Sequence, residues 1–205
     1  MIVYGESNFV LELEQEECAY AENTLAAAER GQVVLVVPTL SIDEPFSTIA
    51  QRSRIRRRIN NTISEQAGQL ERSPTDAGLV TEIRAVAGKL ASLEGHELMR
   101  LQTTVDRVLQ AATVVPMTPA VFAAAVDYAS SLGLSLPDGI VLASTVNHAA
   151  TAPPSEPKIF ANRNPRDFDV PDIVSLLAAH GCELAGTFED AWNTIAPHCP
   201  NASDM

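Results

Sequence analysis

The chain is poor in basic residues. Fourteen Lys plus Arg stand against twenty-six Asp plus Glu in 205 residues, a formal charge of -12. Global attraction to duplex DNA or to an anionic lipid surface is thereby excluded, and any polyanion must be met by a local patch. Cysteine is scarce too: Cys18, Cys182 and Cys199 are odd in number and share no Cys-x-x-Cys spacing. Neither a disulfide framework nor a thiolate zinc site is indicated. No aliphatic run approaches the ~20 residues of a membrane span, the longest being of the kind seen at Val33 to Val37. With no basic stretch ahead of an apolar one at the N-terminus, the expectation is a cytoplasmic chain with no membrane partner. Gly-x-Gly-x-x-Gly and Walker-type loops are missing, which removes the usual phosphate cradles. Aromatics make up only 5%, too few for a dedicated stacking platform for single strands. His96, His148, His180 and His198 are scattered, without the spacing of a metal or triad site.

What is present is an alternation of strand and helix. Met1 to Tyr4 is apolar and meets Gly5; a long Ala- and Glu-rich stretch from Asn8 to Arg30 reads as one helix closed by Gly31. Gln32 to Val37, closed by Pro38, has the valine-rich pattern of a strand buried on both faces. Two long helices are expected between Thr39 and about Ala112, with a break at Ser73-Pro74 and a weaker one at Glu94-Gly95. Thr118-Pro119 and Pro137-Asp138 open two more. Lys158 to Ala161 and Cys182 to Ala185 read as strands, with helices at Pro171 to His180 and Thr187 to Ile195. The class is α/β, three-layered, with a mainly parallel sheet of about five strands. Residues 1–205 are read as a single domain carrying a helical insertion at about 45–112.

Ligands in open parallel sheets bind beyond the carboxyl ends of the strands. Residues at those places are Glu6 after the first strand, Glu44 one turn into the helix after the second, and Asn164 with Asp167 after Lys158 to Ala161. Asp138 joins them from a helix start. Singly, a carboxylate in a first helical turn serves as a cap or dipole partner. Jointly, such acids repel unless a hard divalent cation compensates, and magnesium or manganese is the natural occupant.

Four segments carry a family resemblance: Val3-Tyr4-Gly5-Glu6-Ser7-Asn8-Phe9, Val36-Val37-Pro38-Thr39-Leu40-Ser41-Ile42-Asp43-Glu44, Leu134-Ser135-Leu136-Pro137-Asp138-Gly139-Ile140, and Phe160-Ala161-Asn162-Arg163-Asn164-Pro165-Arg166-Asp167-Phe168. In order and context they resemble the PIN-domain nucleases, which include the toxin ribonucleases of bacterial toxin–antitoxin pairs. The resemblance implies a PIN-like fold and an endoribonuclease dependent on Mg2+ or Mn2+. It further implies metal held by Glu6, Glu44, Asp138 and Asp167, with support from Ser7, Asn8, Asn162 and Asn164. A homodimer and an antitoxin-type protein partner are implied as well. Glu6 stands where the family usually has aspartate, and Asn162 where it has threonine or serine. Those departures open a second reading, a PIN-shaped module that binds RNA or protein without turnover.

Five of the fourteen basic residues, Arg52, Arg54, Arg56, Arg57 and Arg58, fall within seven positions. At ~100° per residue, Arg52 and Arg56 share the stripe of Ile55, Ile59 and Ile63, whereas Arg54, Arg57 and Arg58 face solvent. Arg52, Arg56, Arg163 and Arg166 are the expected RNA contacts.

Overall fold

The computed structural model describes residues 1–163 and 168–199. The chain divides into two compact units, Met1–Pro45 with Thr103–Met205, and Phe46–Gln102.

The first unit is built on a five-stranded, all-parallel sheet of β1 (Ile2–Gly5), β2 (Val34–Pro38), β3 (Ala112–Val115), β4 (Lys158–Ala161) and β5 (Cys182–Ala185), in the order β3-β2-β1-β4-β5. Val3 lies opposite Leu35 and Ile159 in register, so alternate residues of the central strands form two apolar surfaces. Val3, Leu35, Val37 and Ile159 pack with α1 (Ser7–Gln15), α2 (Ala19–Glu29) and α8 (Phe188–Ile195). Ile2, Tyr4, Val36 and Phe160 pack with α6 (Leu136–Thr151) and α7 (Pro171–Ala179). Near-complete burial on both faces explains why the strands read as valine-rich runs rather than alternating ones. Helix α5 (Pro119–Leu132) runs against α6. A Cβ added at Gly139 would lie 2.6 Å from the carbonyl oxygen of Ala125, so α6 can approach α5 this closely only with glycine there.

The chain order gives the sheet a switch point. β1, β2 and β3 proceed toward one edge, and the chain then returns to place β4 on the other side of β1. Between the carboxyl ends of β1 and β4 the outgoing connections diverge, leaving the crevice that parallel sheets offer to ligands.

Two sequence expectations need correction. The stretch from Asn8 to Arg30 is two helices, because Glu16 takes a left-handed conformation (φ 55°) and its N–H bonds back to the carbonyl of Leu13, ending α1. Cys18 then starts α2. Conversely, nothing breaks at Gly95: α4 (Ala77–Ala111) runs through it, since one glycine costs a helix only about 1 kcal/mol.

The second unit is a helical hairpin formed by the 46–70 part of α3 (Thr39–Leu70) and the 77–102 part of α4, joined through a turn at 71–76. Its sheltered positions follow a seven-residue repeat: Ile49, Ser53, Arg56, Asn60, Ile63 and Ala67 on α3, and Val80, Ile83, Ala87, Leu90, Glu94 and Glu97 on α4. Arg56 donates through both Nη atoms to Glu97, Arg57 pairs with Glu94, and Arg84 pairs with Glu71, which fixes the antiparallel register. Of the Ile55, Ile59, Ile63 stripe expected to face inward, only Ile63 falls in the seam. Ile55 and Ile59 are half-exposed, and the seam beside them is polar. Ser53 Oγ and Asn60 Oδ1 are buried without a hydrogen-bond partner among the described residues, beside a cavity of about 140 Å³. Such a cavity has room for water to satisfy both. Among the described residues no single helix is long and apolar enough to cross a membrane.

Candidate functional site

Glu6 is the pivot. Gly5 ends β1, and a Cβ there would stand 3.1 Å from the Phe9 ring, which folds back under the strand end. Glu6 then serves as N-cap of α1: its Oε2 accepts the backbone N–H of Asn8 at 2.9 Å. It is only 4% exposed, and its Oε1 has no hydrogen-bond partner among the described residues. Burial pushes its carboxyl up to about 7; the amides of Asn8 and the Ser7 hydroxyl pull the other way, and the nearby Glu44 adds a smaller upward push.

Glu44 arrives from the second strand. Helix α3 begins directly at the end of β2, where Thr39 Oγ1 donates to the carbonyl of Val115 at 2.8 Å and ties the helix start to the end of β3. Glu44 lies in the second turn, just before Pro45. Ser7 Oγ donates to Glu44 Oε2 at 2.6 Å and lies 3.3 Å from Glu6 Oε2. One hydroxyl thus bridges two carboxylates from neighbouring strand ends. Asn162, directly after β4, is fully buried, and its N–H donates to the carbonyl of Ala185 at 3.1 Å.

Asp138 has a different arrangement. Its N–H donates to Ser135 Oγ at 3.2 Å, and that hydroxyl donates to Asp138 Oδ2, so the pair forms a reciprocal cap at the start of α6. No hydrogen bond ties Asp138 to Glu6 or Glu44 among the described residues. Asn164, Arg166 and Asp167 lie outside the described residues. Among those described, no three Asp, Glu, His or Cys side chains gather closely enough to hold a metal ion. The expected four-acid cluster is, within this range, a pair: Glu6 and Glu44.

The basic residues also differ from expectation. Arg56 is held by Glu97 within the hairpin, because a guanidinium in a half-buried seam needs a carboxylate beside it. Arg163 pairs with Glu12 while its own side chain stays 56% exposed. Arg52 is half-buried on α3. Glu12 itself escaped the sequence reading. Its signal was an acid inside the apolar run Phe9 to Leu13, a position where burial demands a counter-charge.

No family model and no curated protein matches the chain. Among solved structures, the chain is similar to one described as the crystal structure of VapBC2 from Rickettsia felis bound to a DNA fragment from their promoter. The similarity has a TM-score of 0.46 and 9% identity, and covers 90% of this chain and 99% of the other. A likeness of that size fixes neither family nor activity.

Proposed function

We propose that the chain is a PIN-like, divalent-metal-dependent ribonuclease, with Glu6 and Glu44 as the described part of its metal site. The observation that carries the reading is the buried Glu6 carboxylate at the sheet's switch point, with one oxygen unpartnered and the other shared through Ser7 with a second acid. A helix cap alone calls for neither the burial nor the second carboxylate. The donors suit the proposed ion, since magnesium commonly takes one or two carboxylates and keeps several waters. When bound, it would supply an acidic water and neutralise charge on the scissile phosphate.

The residues of the chain divide the remaining work. Glu6 and Glu44 hold the cation, and the Ser7 hydroxyl sets the spacing between them. Asn8 keeps Glu6 Oε2 engaged through its N–H. Asn162 offers an amide at the end of β4. Asp138 joins by turning away from Ser135, and Asp167 completes the set. Arg163, one residue beyond Asn162, reaches a phosphate when its exposed guanidinium leaves Glu12.

The test is cleavage of a mixed-sequence RNA with Mn2+ or Mg2+, with EDTA as control. Glu6→Gln and Glu44→Gln should each lower cleavage at least about a hundredfold, in line with the loss of a metal-activated water, and calorimetry should show Mn2+ binding lost with them. Parent protein that gives no products and no heat with either ion overturns the reading. A second reading, RNA or protein binding without turnover, is favoured by the closed Ser135–Asp138 cap and the Glu12–Arg163 pair. Its mark is RNA retention without products.

A further inference from the structure

Charge is divided unevenly between the two units. Phe46–Gln102 holds nine of the fourteen Lys and Arg but only six of the twenty-six Asp and Glu, so the hairpin carries a formal +3, while the five bases and twenty acids elsewhere leave -15. A net negative chain therefore owns one positive segment, and the excess is concentrated further within it. From Pro45 to Ser64 there are five arginines and no carboxylate. The α4 side of the seam neutralises two of them, with Glu97 on Arg56 and Glu94 on Arg57.

Arg54 and Arg58 are placed differently. At ~100° per residue they lie about 140° and 180° from the middle of the seam, on the side of α3 turned away from α4. Both are exposed, and among the described residues neither has a carboxylate at ion-pair distance. Ser47, Gln51 and Asn61 share that side and are also exposed. Spacings of four, three, four and three make Ser47, Gln51, Arg54, Arg58 and Asn61 one strip, about 21 Å long at ~1.5 Å per residue. Every member donates hydrogen bonds and none is negative, until Glu65 ends the strip one turn beyond Asn61.

A row of donors carrying two guanidinium forks suits a row of phosphates. Its length matches about six nucleotides of a stacked single strand at ~3.4 Å each. A strand is a line of charge and needs only the strip, whereas an anionic bilayer is a plane of charge, which the -15 carried elsewhere opposes.

We infer that this side of α3 binds the phosphate backbone of single-stranded RNA, without regard to sequence, through Arg54 and Arg58. The choice of RNA as the strand rests on the nuclease reading; the binding itself needs neither a metal nor Glu6 and Glu44. The α3 contact thus moves from Arg56, which the seam consumes, to its outward neighbours.

Binding of a short, labelled, mixed-sequence single-stranded RNA to the full chain is followed by fluorescence anisotropy in EDTA, so that no cleavage intervenes. At about 0.1 M salt, Arg54→Glu with Arg58→Glu should weaken binding at least about tenfold, and the slope of log affinity against log salt should flatten by about 1.4, at ~0.7 per phosphate contact. Arg30→Glu with Arg72→Glu, the same change of charge at exposed arginines off the strip, should stay within about threefold of the parent. Should the reversals disturb folding, Arg54→Gln with Arg58→Gln gives the same answer, with the slope flattened and the circular dichroism spectrum unchanged. A parent that leaves RNA unbound at about 100 μM, a slope the strip variants do not alter, or equal losses in the strip and control pairs overturns the proposal. So does displacement of the RNA by poly-glutamate as readily as by unlabelled RNA, or binding to phosphatidylserine vesicles by a parent that ignores RNA. A parent that binds RNA through the strip and cleaves none with any ion sinks the nuclease reading and leaves this one standing.

Discussion

The two units keep their order by opposite means. In the sheet unit the central strands are apolar on both faces, and Val3, Tyr4, Leu35, Val36 and Phe160 are all fully buried. Its stability comes from area and close packing. The hairpin shelters Ser53, Arg56, Asn60, Glu94 and Glu97 along much of its length, and its ion pairs choose the register without contributing much apolar burial. Polar residues in a helical seam are better at excluding wrong alignments than at adding stability. The lesson is that burial and specificity are separable, and this chain assigns them to different segments.

The sharpest way to break the contrast is to weaken the apolar unit. Leu35→Ala removes a side chain packed between the sheet and its helices, and should cost about 3–4 kcal/mol in urea denaturation. A cost under about 1 kcal/mol would mean that the sheet core is loosely packed. Next comes the polar exception inside that core. Glu6 titrates at about 7 when folded against an ordinary value of 4.5, so the folded chain keeps a proton that the unfolded chain releases. Without metal, stability should fall as pH rises from about 4.5 to 7, by roughly 3 kcal/mol, and level off above. Glu6→Gln should flatten that slope and melt higher than the parent at pH 8 in EDTA. The smallest effect belongs to the hairpin. Arg56→Leu alone strands a buried Glu97 and should cost about 1–3 kcal/mol, whereas Arg56→Leu with Glu97→Leu should return to within about 1 kcal/mol of the parent. A double variant as unstable as the single one would make the pair a source of stability and erase the distinction.

The sheet was legible in the sequence because doubly buried parallel strands print as continuous apolar runs, and because Thr118-Pro119 and Ser135-Leu136-Pro137-Asp138 are local signals that need no tertiary partner. The placement of Glu6 after β1 and of Glu44 early in the helix after β2 was legible for the same reason. The hairpin was less legible. Its helices were expected, but the inward face was not, since Ile55 and Ile59 suggested a 3.6-residue stripe while the structure follows a 3.5-residue seam of mixed polarity. The role of Arg56 was hidden in Glu97, forty-one residues away. The α1–α2 break was unreadable because the left-handed residue is Glu16, not glycine.

The contact beneath Gly139 bears on how any third acid could enter. With the Ala125 carbonyl where an added methyl would come within 2.6 Å, the start of α6 packs against α5 at backbone distance. Asp138, in the first turn of that helix, is carried by this close packing and has two side-chain torsions with which to reach. In the proposed site, Asp138 would turn toward the cation by side-chain rotation, giving up the Ser135 hydroxyl as it does so.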